Sequence, residues 1–270
     1  MLFLTPDNVL NIRVAGVELA INQRIIPDDA RAPRKIAAHV PKGGWMKPGA
    51  MLGDRGNPKG ITIHNTCDIV VPPGTNPAEQ YSRATWPNAN MLGVVVHFYV
   101  WRRDIWQNLT LSEQGWHAGD GSTRRKSKRR GEWIGGNIDT IAIEVIGSHP
   151  ESNQTAALLS AWLLREKDLS PATDLYTHNY FMDLPERIVP GVRKNCPLFI
   201  LPDWAGFQKT VSGYYTALGK RKSQKAAQQK AEDDHAYYAA NEFMLKYIRE
   251  RHYQLRKELA ELSAKWPPAK

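Results

Sequence analysis

The sequence predicts an α/β fold: a mixed central β-sheet flanked by helices, with a helical extension at the C-terminal end. Two patterns predict it. Runs of β-branched and aromatic residues at Gly60–His64, Met91–Trp101 and Thr140–Ile146 have the length and composition of buried strands. Around them, the stretch after Asn76, Thr155–Leu169 and Leu201–Leu218 carry apolar residues at helical spacing. Strands that alternate with helices bury a sheet beneath them. A third observation is the polar tract Lys220–Ala227, where the composition shifts.

The elements follow in order. Residues 1–57 alternate short apolar runs with Pro and Gly, and read as an N-terminal extension packed on the next domain. Within it Val14–Ile21 suits a strand or a short helix, and Lys42-Gly43-Gly44 and Lys47-Pro48-Gly49 are turn chemistry. Residues 58–218 make the central domain. Gly60–His64 opens it as a strand, Pro72–Asn76 is a loop, and Asn76 caps a helix that has Pro77 at its first position. Asp104–Leu109 is the hairpin partner of the Met91–Trp101 strand. Thr140–Ile146 is a buried strand with Glu144 inside it, and Asp203 is a candidate cap for the Leu201–Leu218 helix. Residues 219–270 form a helical tail. There Leu245, Ile248, His252, Leu255, Leu259 and Leu262 fall three or four apart, a narrow apolar stripe on a charged helix that ends at Pro267-Pro268.

Composition bounds the function. The 270 residues carry a formal charge of +9, which favours anionic partners. Two cysteines argue against a disulfide scaffold. Cys67, three residues past His64, is expected as a small buried group near the site. The N-terminus lacks a basic segment followed by a long apolar run, so no signal peptide is expected, and no stretch reaches membrane-spanning length. The run Arg124–Arg130 is the strongest charge cluster. It reads either as a solvated loop or as a surface that attracts an anionic polymer. It lacks the interleaved aromatics of a nucleic-acid stacking platform, so no nucleic acid is expected as partner.

The chemistry concentrates in three residues. His64 ends an apolar strand, His178 follows a short Asp174–Thr177 turn, and Cys196 sits in Lys194-Asn195-Cys196-Pro197. Two neutral imidazoles and a thiolate are three ligands for Zn2+ with an open fourth position, the makeup of a catalytic site. Glu144 is the candidate acid/base. An acidic residue is unusual in a strand buried on both faces, and burial raises a carboxyl pKa toward the range such a catalyst needs.

Four blocks give the chain a resemblance to a known family: Ile61–Thr66 (ITIHNT); Val95–Tyr99 with Trp106–Leu109; Gly115–Gly121 with Asn137–Glu144; and His178 with Lys194–Pro197. In this order they resemble the zinc-dependent N-acetylmuramoyl-L-alanine amidases, the family of phage-type lysozyme amidases and peptidoglycan recognition proteins, and look most like phage endolysins. The resemblance implies the mixed sheet already expected. It also implies zinc on His64, His178 and Cys196, proton transfer by Glu144, and oxyanion stabilisation by Lys194 together with the metal. Trp116, His117 and Asn65 are expected in the substrate groove, with a position behind the ligands open to His117. Bacterial peptidoglycan is the implied substrate. An enzyme made in a host cytoplasm and acting at the wall fits that implication.

The chain departs from the pattern in three places. Residues 179–193 separate the second histidine from the cysteine, Val96 stands where some relatives carry a catalytic tyrosine, and Ser122–Glu132 is long and basic. Competing readings are a non-catalytic peptidoglycan-binding module, a metal-free hydrolase with Cys196 as nucleophile, and a charge-driven nucleic-acid binder. The leucine stripe of the tail leans toward self-association, with wall or membrane attachment open.

Overall fold

The computed structural model describes residues 5–26, 51–85, 94–118, 124–126, 132–181, 195–219, 246, 250–259 and 261. It divides into two compact units, Met1–Gly219 and Lys220–Lys270.

The first unit is built on a seven-stranded mixed sheet. Its strands are β1 (Asn8–Val14), β2 (Val17–Gln23), β3 (Gly60–Asn65), β4 (Phe98–Trp101), β5 (Asp104–Gln107), β8 (Thr140–Val145) and β9 (Leu175–Thr177). Their spatial order is β1-β2-β5-β4-β8-β3-β9. A separate two-stranded sheet joins β6 (Arg124–Lys126) to β7 (Trp133–Gly135). The helices are α1 (Pro77–Ala84), α2 (Gly136–Asp139), α3 (Pro150–Glu166), α4 (His178–Phe181) and α5 over residues 204–219.

The expectation for Val14–Ile21 is corrected. That stretch is a hairpin bend, not one element, because Ala15 and Gly16 both take positive φ, 49° and 88°. Two such residues make the tight turn whose twist suits paired strands. The hairpin then extends the sheet, with β2 running parallel to β5 from Ile21↔Ile105 to Gln23↔Gln107. The basic run is also not wholly a loop, since Arg124–Lys126 pairs antiparallel with Trp133–Gly135. Helix α3 begins earlier than its apolar spacing suggests. Pro150 occupies the first turn, and the His149 side chain accepts a hydrogen bond from the Glu151 amide at 3.2 Å. Asp168 at φ 53° closes the far end. Asn76 caps α1 as expected, accepting from the Glu79 amide at 3.2 Å.

The two sheet faces differ in chemistry. Ile61, Ile63, Phe98, Val100, Ile141, Ile143 and Val145 pack with α3 and α5 in the main core. The opposite face carries a smaller cluster under α1, with Ala78, Val96, Tyr99, Trp106, Ala142 and Ile146. Period-two alternation sends the intervening residues of β3 and β8 to this second face. Those residues include His64 and Glu144.

In the second unit, residues 250–259 are helical and exposed, Leu255 and Leu259 of the stripe among them. Leu245, Ile248 and Leu262 lie outside the described residues. Among the described residues, no helix is long and apolar enough to cross a membrane.

Candidate metal centre

Three elements bring the ligand candidates together. His64 is the fifth residue of β3, His178 opens α4 directly after β9, and Cys196 lies in the segment leading to α5. β3 and β9 are parallel neighbours, so both histidines emerge at the same sheet edge. One donor atom from each of His64, His178 and Cys196 lies within 4.8 Å of the others, and all three residues are buried. The two Nδ1 atoms stand 3.0 Å apart. A tetrahedral site with bonds of about 2.0–2.3 Å holds its donors roughly 3.3–3.7 Å apart. Two imidazoles and a thiol that can ionise therefore fit a metal ion with small adjustment.

The ligands are fastened by their chain neighbours. The Asn179 amide donates to the Cys196 carbonyl at 2.7 Å. The Phe199 amide donates to Oδ1 of Asn65 at 2.8 Å, and Sγ of Cys196 lies 3.9 Å from the Asn65 carbonyl oxygen. Nδ2 of Asn65 donates to the carbonyls of Val145 at 2.8 Å and Gly147 at 2.9 Å. The Cys196–Pro197 peptide is cis.

Behind the ligands stands His117. Its Nδ1 lies 3.0 Å from Nε2 of His64. For Nδ1 of His64 to face a metal, Nε2 must carry the ring proton, and His117 then accepts it. The His117 and Ala118 amides both donate to Oδ1 of Asn137 at 2.7 Å, which fixes this turn on α2. His97 is tied to backbone. Its Nδ1 accepts from Ala142 N at 3.0 Å, so its Nε2–H donates to the Glu113 carbonyl at 2.8 Å.

Glu144 sits beside His64 by register. His64 pairs with Glu144, Glu144 with Tyr99, and Tyr99 with Trp106, one row across β3, β8, β4 and β5. Glu144 is half-buried, unlike its fully buried strand neighbours. Tyr81 of α1 packs near Tyr99, with ring centroids 5.8 Å apart. Burial and the nearby Glu144 carboxylate push the Tyr81 phenol above its usual range, against a hydrogen bond with Thr66. The phenol thus remains a proton donor at neutral pH. An open cleft of about 520 Å³ runs between the 68–75 loop, Trp101-Arg102 and Ile146–Pro150, and neither Glu144 nor a ligand candidate lines it. Ile146 and Trp101 belong to the same face as His64 and Glu144.

The expected site residues are placed as follows. His64, His178 and Cys196 converge, and Glu144 pairs with His64 across β8 and β3. Lys194 lies outside the described residues. Trp116 is half-buried and bridges to Val95 through backbone hydrogen bonds of 2.8 and 3.0 Å. His117 and Asn65, expected to line the groove, are buried behind and between the ligands, and the Asn65 amide is taken up by three backbone partners. Cys67 is corrected from buried to exposed, because the chain leaves the sheet after Asn65. It forms no disulfide with Cys196. The sequence alone does not mark Asn137 or Tyr81 as part of the site. Asn137 lies in the Asn137–Glu144 block, but its bond to His117 spans 20 residues and is invisible to local pattern.

Comparison with known proteins agrees with this geometry. The family model described as N-acetylmuramoyl-L-alanine amidase matches residues 54–198. The chain is 28% identical over 182 residues to the N-acetylmuramoyl-L-alanine amidase XlyA of Bacillus subtilis strain 168, covering 66% of this chain and 51% of that protein. It is 27% identical over 177 residues to CwlH, an N-acetylmuramoyl-L-alanine amidase of the same organism, covering 64% and 59%. The chain thus spans little more than half the length of these curated relatives. Among solved structures, the catalytic domain of XlyA superposes with a TM-score of 0.50 at 27% identity, over 71% of this chain and 98% of that one. A mutant endolysin from Bacillus subtilis gives a TM-score of 0.50 at 28% identity, over 72% and 99%.

Proposed function

The chain belongs to the N-acetylmuramoyl-L-alanine amidase family, and from that premise we propose that it is a zinc-dependent hydrolase of the amide between N-acetylmuramic acid and L-alanine in peptidoglycan. The observation that carries this reading is the placement of Glu144 on the strand next to His64, on the face where His64, His178 and Cys196 converge. The likeness to XlyA, CwlH and an endolysin supports the bond and the wall as substrate.

His64 and His178 would hold the ion through Nδ1, and Cys196 through its thiolate. Zinc, when bound, supplies Lewis acidity that eases deprotonation of a water and polarises the scissile carbonyl. Glu144 takes the proton that the attacking water loses. As the carbon–oxygen bond forms and the carbon–nitrogen bond breaks, Glu144 returns that proton to the departing amine of L-alanine. Lys194 offers a cation for the oxyanion.

The remaining parts of the proposal are biological. We read the protein as a phage or prophage endolysin that acts at the bacterial wall. The basic run at 124–130 would attract anionic wall polymer, a reading supported by six basic residues among its seven. The exposed Leu255 and Leu259 support self-association through the tail.

The test is release of alanine amino termini from purified peptidoglycan, with and without a chelator, followed by zinc add-back. Release that the chelator stops and zinc restores is expected. Chelator-resistant release would replace this mechanism with Cys196 as nucleophile, and no release from several wall types would replace it with a binding module.

A further inference from the structure

We propose that Asn65 is a positioning residue of the metal centre: its side-chain amide clamps the cysteine segment to the edge of the sheet and so sets the separation of His64 and Cys196. The inference rests on the zinc-site reading above and goes beyond it by naming what holds the thiolate in place.

His64 and Cys196 are 132 positions apart along the chain. A ligand delivered that way needs a local anchor. Two anchors are present, each from the residue that follows a histidine ligand. Asn179 ties the cysteine segment to His178, through its amide and the Cys196 carbonyl at 2.7 Å. Asn65 ties the same segment to His64, through Oδ1 and the Phe199 amide at 2.8 Å. The first anchor is backbone to backbone and tolerates most side chains. The second depends on the side chain of Asn65.

That side chain is held at both ends. Its two N–H bonds go to Val145 and Gly147, the last residue of β8 and the second one beyond it. Its oxygen goes to the cysteine segment. One planar amide therefore spans β8, β3 and the segment that carries Cys196. An asparagine offers two donors and an acceptor within this reach, and a carboxamide is the group that uses all three here. Asn65 is buried, so water does not replace a lost partner freely. Its own carbonyl oxygen also lies 3.9 Å from Sγ of Cys196. Movement of Asn65 would thus shift the sulfur relative to the imidazole one residue earlier.

The role differs from plain structural support in what it predicts. Residues that orient ligands change metal affinity by about 10–100-fold when removed. They also change the ligand field, which a merely destabilising substitution leaves intact in the molecules that stay folded. Cobalt(II) reports this directly, because a thiolate ligand gives a charge-transfer band and a tetrahedral site gives strong visible bands.

The experiment uses the full chain, unsubstituted and as Asn65→Ala and Asn65→Asp. Cobalt(II) spectra and zinc affinity by chelator competition are read on protein whose folding is checked by circular dichroism. In Asn65→Ala the sulfur-to-cobalt band should weaken and zinc affinity should fall about 10–100-fold. Asn65→Asp keeps an acceptor for the Phe199 amide but sets an oxygen against the Val145 and Gly147 carbonyls, so its zinc affinity should fall as well. The proposal is overturned if both folded variants keep the unsubstituted spectrum and affinity. It is overturned together with the zinc-site reading if the unsubstituted protein shows no sulfur-to-cobalt band, which separates the two failures.

Discussion

Replacing His117 with alanine tests the metal centre through a residue that is not itself a ligand. His64 and His117 are 2% and 7% exposed, and their ring nitrogens meet at 3.0 Å. Removing the acceptor takes this hydrogen bond from a buried N–H of His64, a cost of about 1–3 kcal/mol. The ring is then freer to rotate and its Nδ1 is less basic. Loss of such a partner lowers metal affinity by about 10–100-fold, and about 1.4 kcal/mol per factor of ten brings the two figures into agreement. The assay is competition for zinc against a chromophoric chelator at neutral pH, with melting of the chelator-treated protein measured in parallel. His117→Asn should recover part of the affinity, because its Oδ1 can reach the place of the imidazole Nδ1. If His117→Ala holds zinc as tightly as the unsubstituted protein, the proposed tautomer of His64 is wrong, and so is the choice of Nδ1 as its donor atom.

Three further outcomes are expected. Glu144→Gln should lower amide hydrolysis by about 10²–10⁴-fold while zinc content stays unchanged, and loss of zinc along with activity would place Glu144 among the ligands instead. The Asp104 carboxyl is held above its usual range, by burial first and by the charge of Glu151, against a hydrogen bond from Asn76. The fold therefore prefers Asp104 protonated. Its favourable contribution is full below the unfolded pKa of about 3.9 and is lost as pH rises through the folded value. Asp104→Asn should raise the melting temperature at neutral pH, and the gain should shrink in acid; a gain independent of pH would refute the cause. Gly60→Ala would set a Cβ 2.5 Å from the Tyr176 ring and 2.8 Å from the Asp174 carbonyl oxygen, so denaturant unfolding should show a loss of about 1–3 kcal/mol. An unchanged midpoint would mean that β9 yields to the methyl group.

Much of this fold is legible along the chain, for identifiable reasons. β3 and β8 are short and rich in β-branched residues, β4 is short and aromatic, and Asn76-Pro77 states the start of α1 outright. The turn at Ala15-Gly16 is less legible because alanine seldom takes positive φ, and only the following glycine hints at it. The start of α3 rests on His149-Pro150, ahead of the apolar spacing that marks the rest of the helix. For the site, the motifs around His64, His178 and Cys196, and the family resemblance they carry, single these three out from eight histidines and two cysteines. The roles of His117 and Asn65 depend on partners 53 and 134 positions away, and no local pattern carries that information.

The position of Glu144 shows how the core fixes the chemistry. β8 lies between β3 and β4, so its residue 144 has His64 on one side and Tyr99 on the other. That register is not set by the polar groups. Ile141, Ile143 and Val145 all enter the main core beneath α3, and a slip of one residue would turn them toward α1 and drive Glu144 among Ile63, Leu159 and Leu163. Burying an unpaired carboxylate there costs far more than any one contact in the site contributes. The alternating isoleucines therefore do two things at once. They stabilise the sheet, and they hold the carboxylate opposite the imidazole on the face where the metal ligands converge. A substitution such as Ile143→Ala should accordingly weaken folding first, while the molecules that remain folded keep Glu144 in register with His64. Activity per folded molecule should then hold near its original value, and a fall in that ratio would show that the alignment depends on the packing of this one side chain.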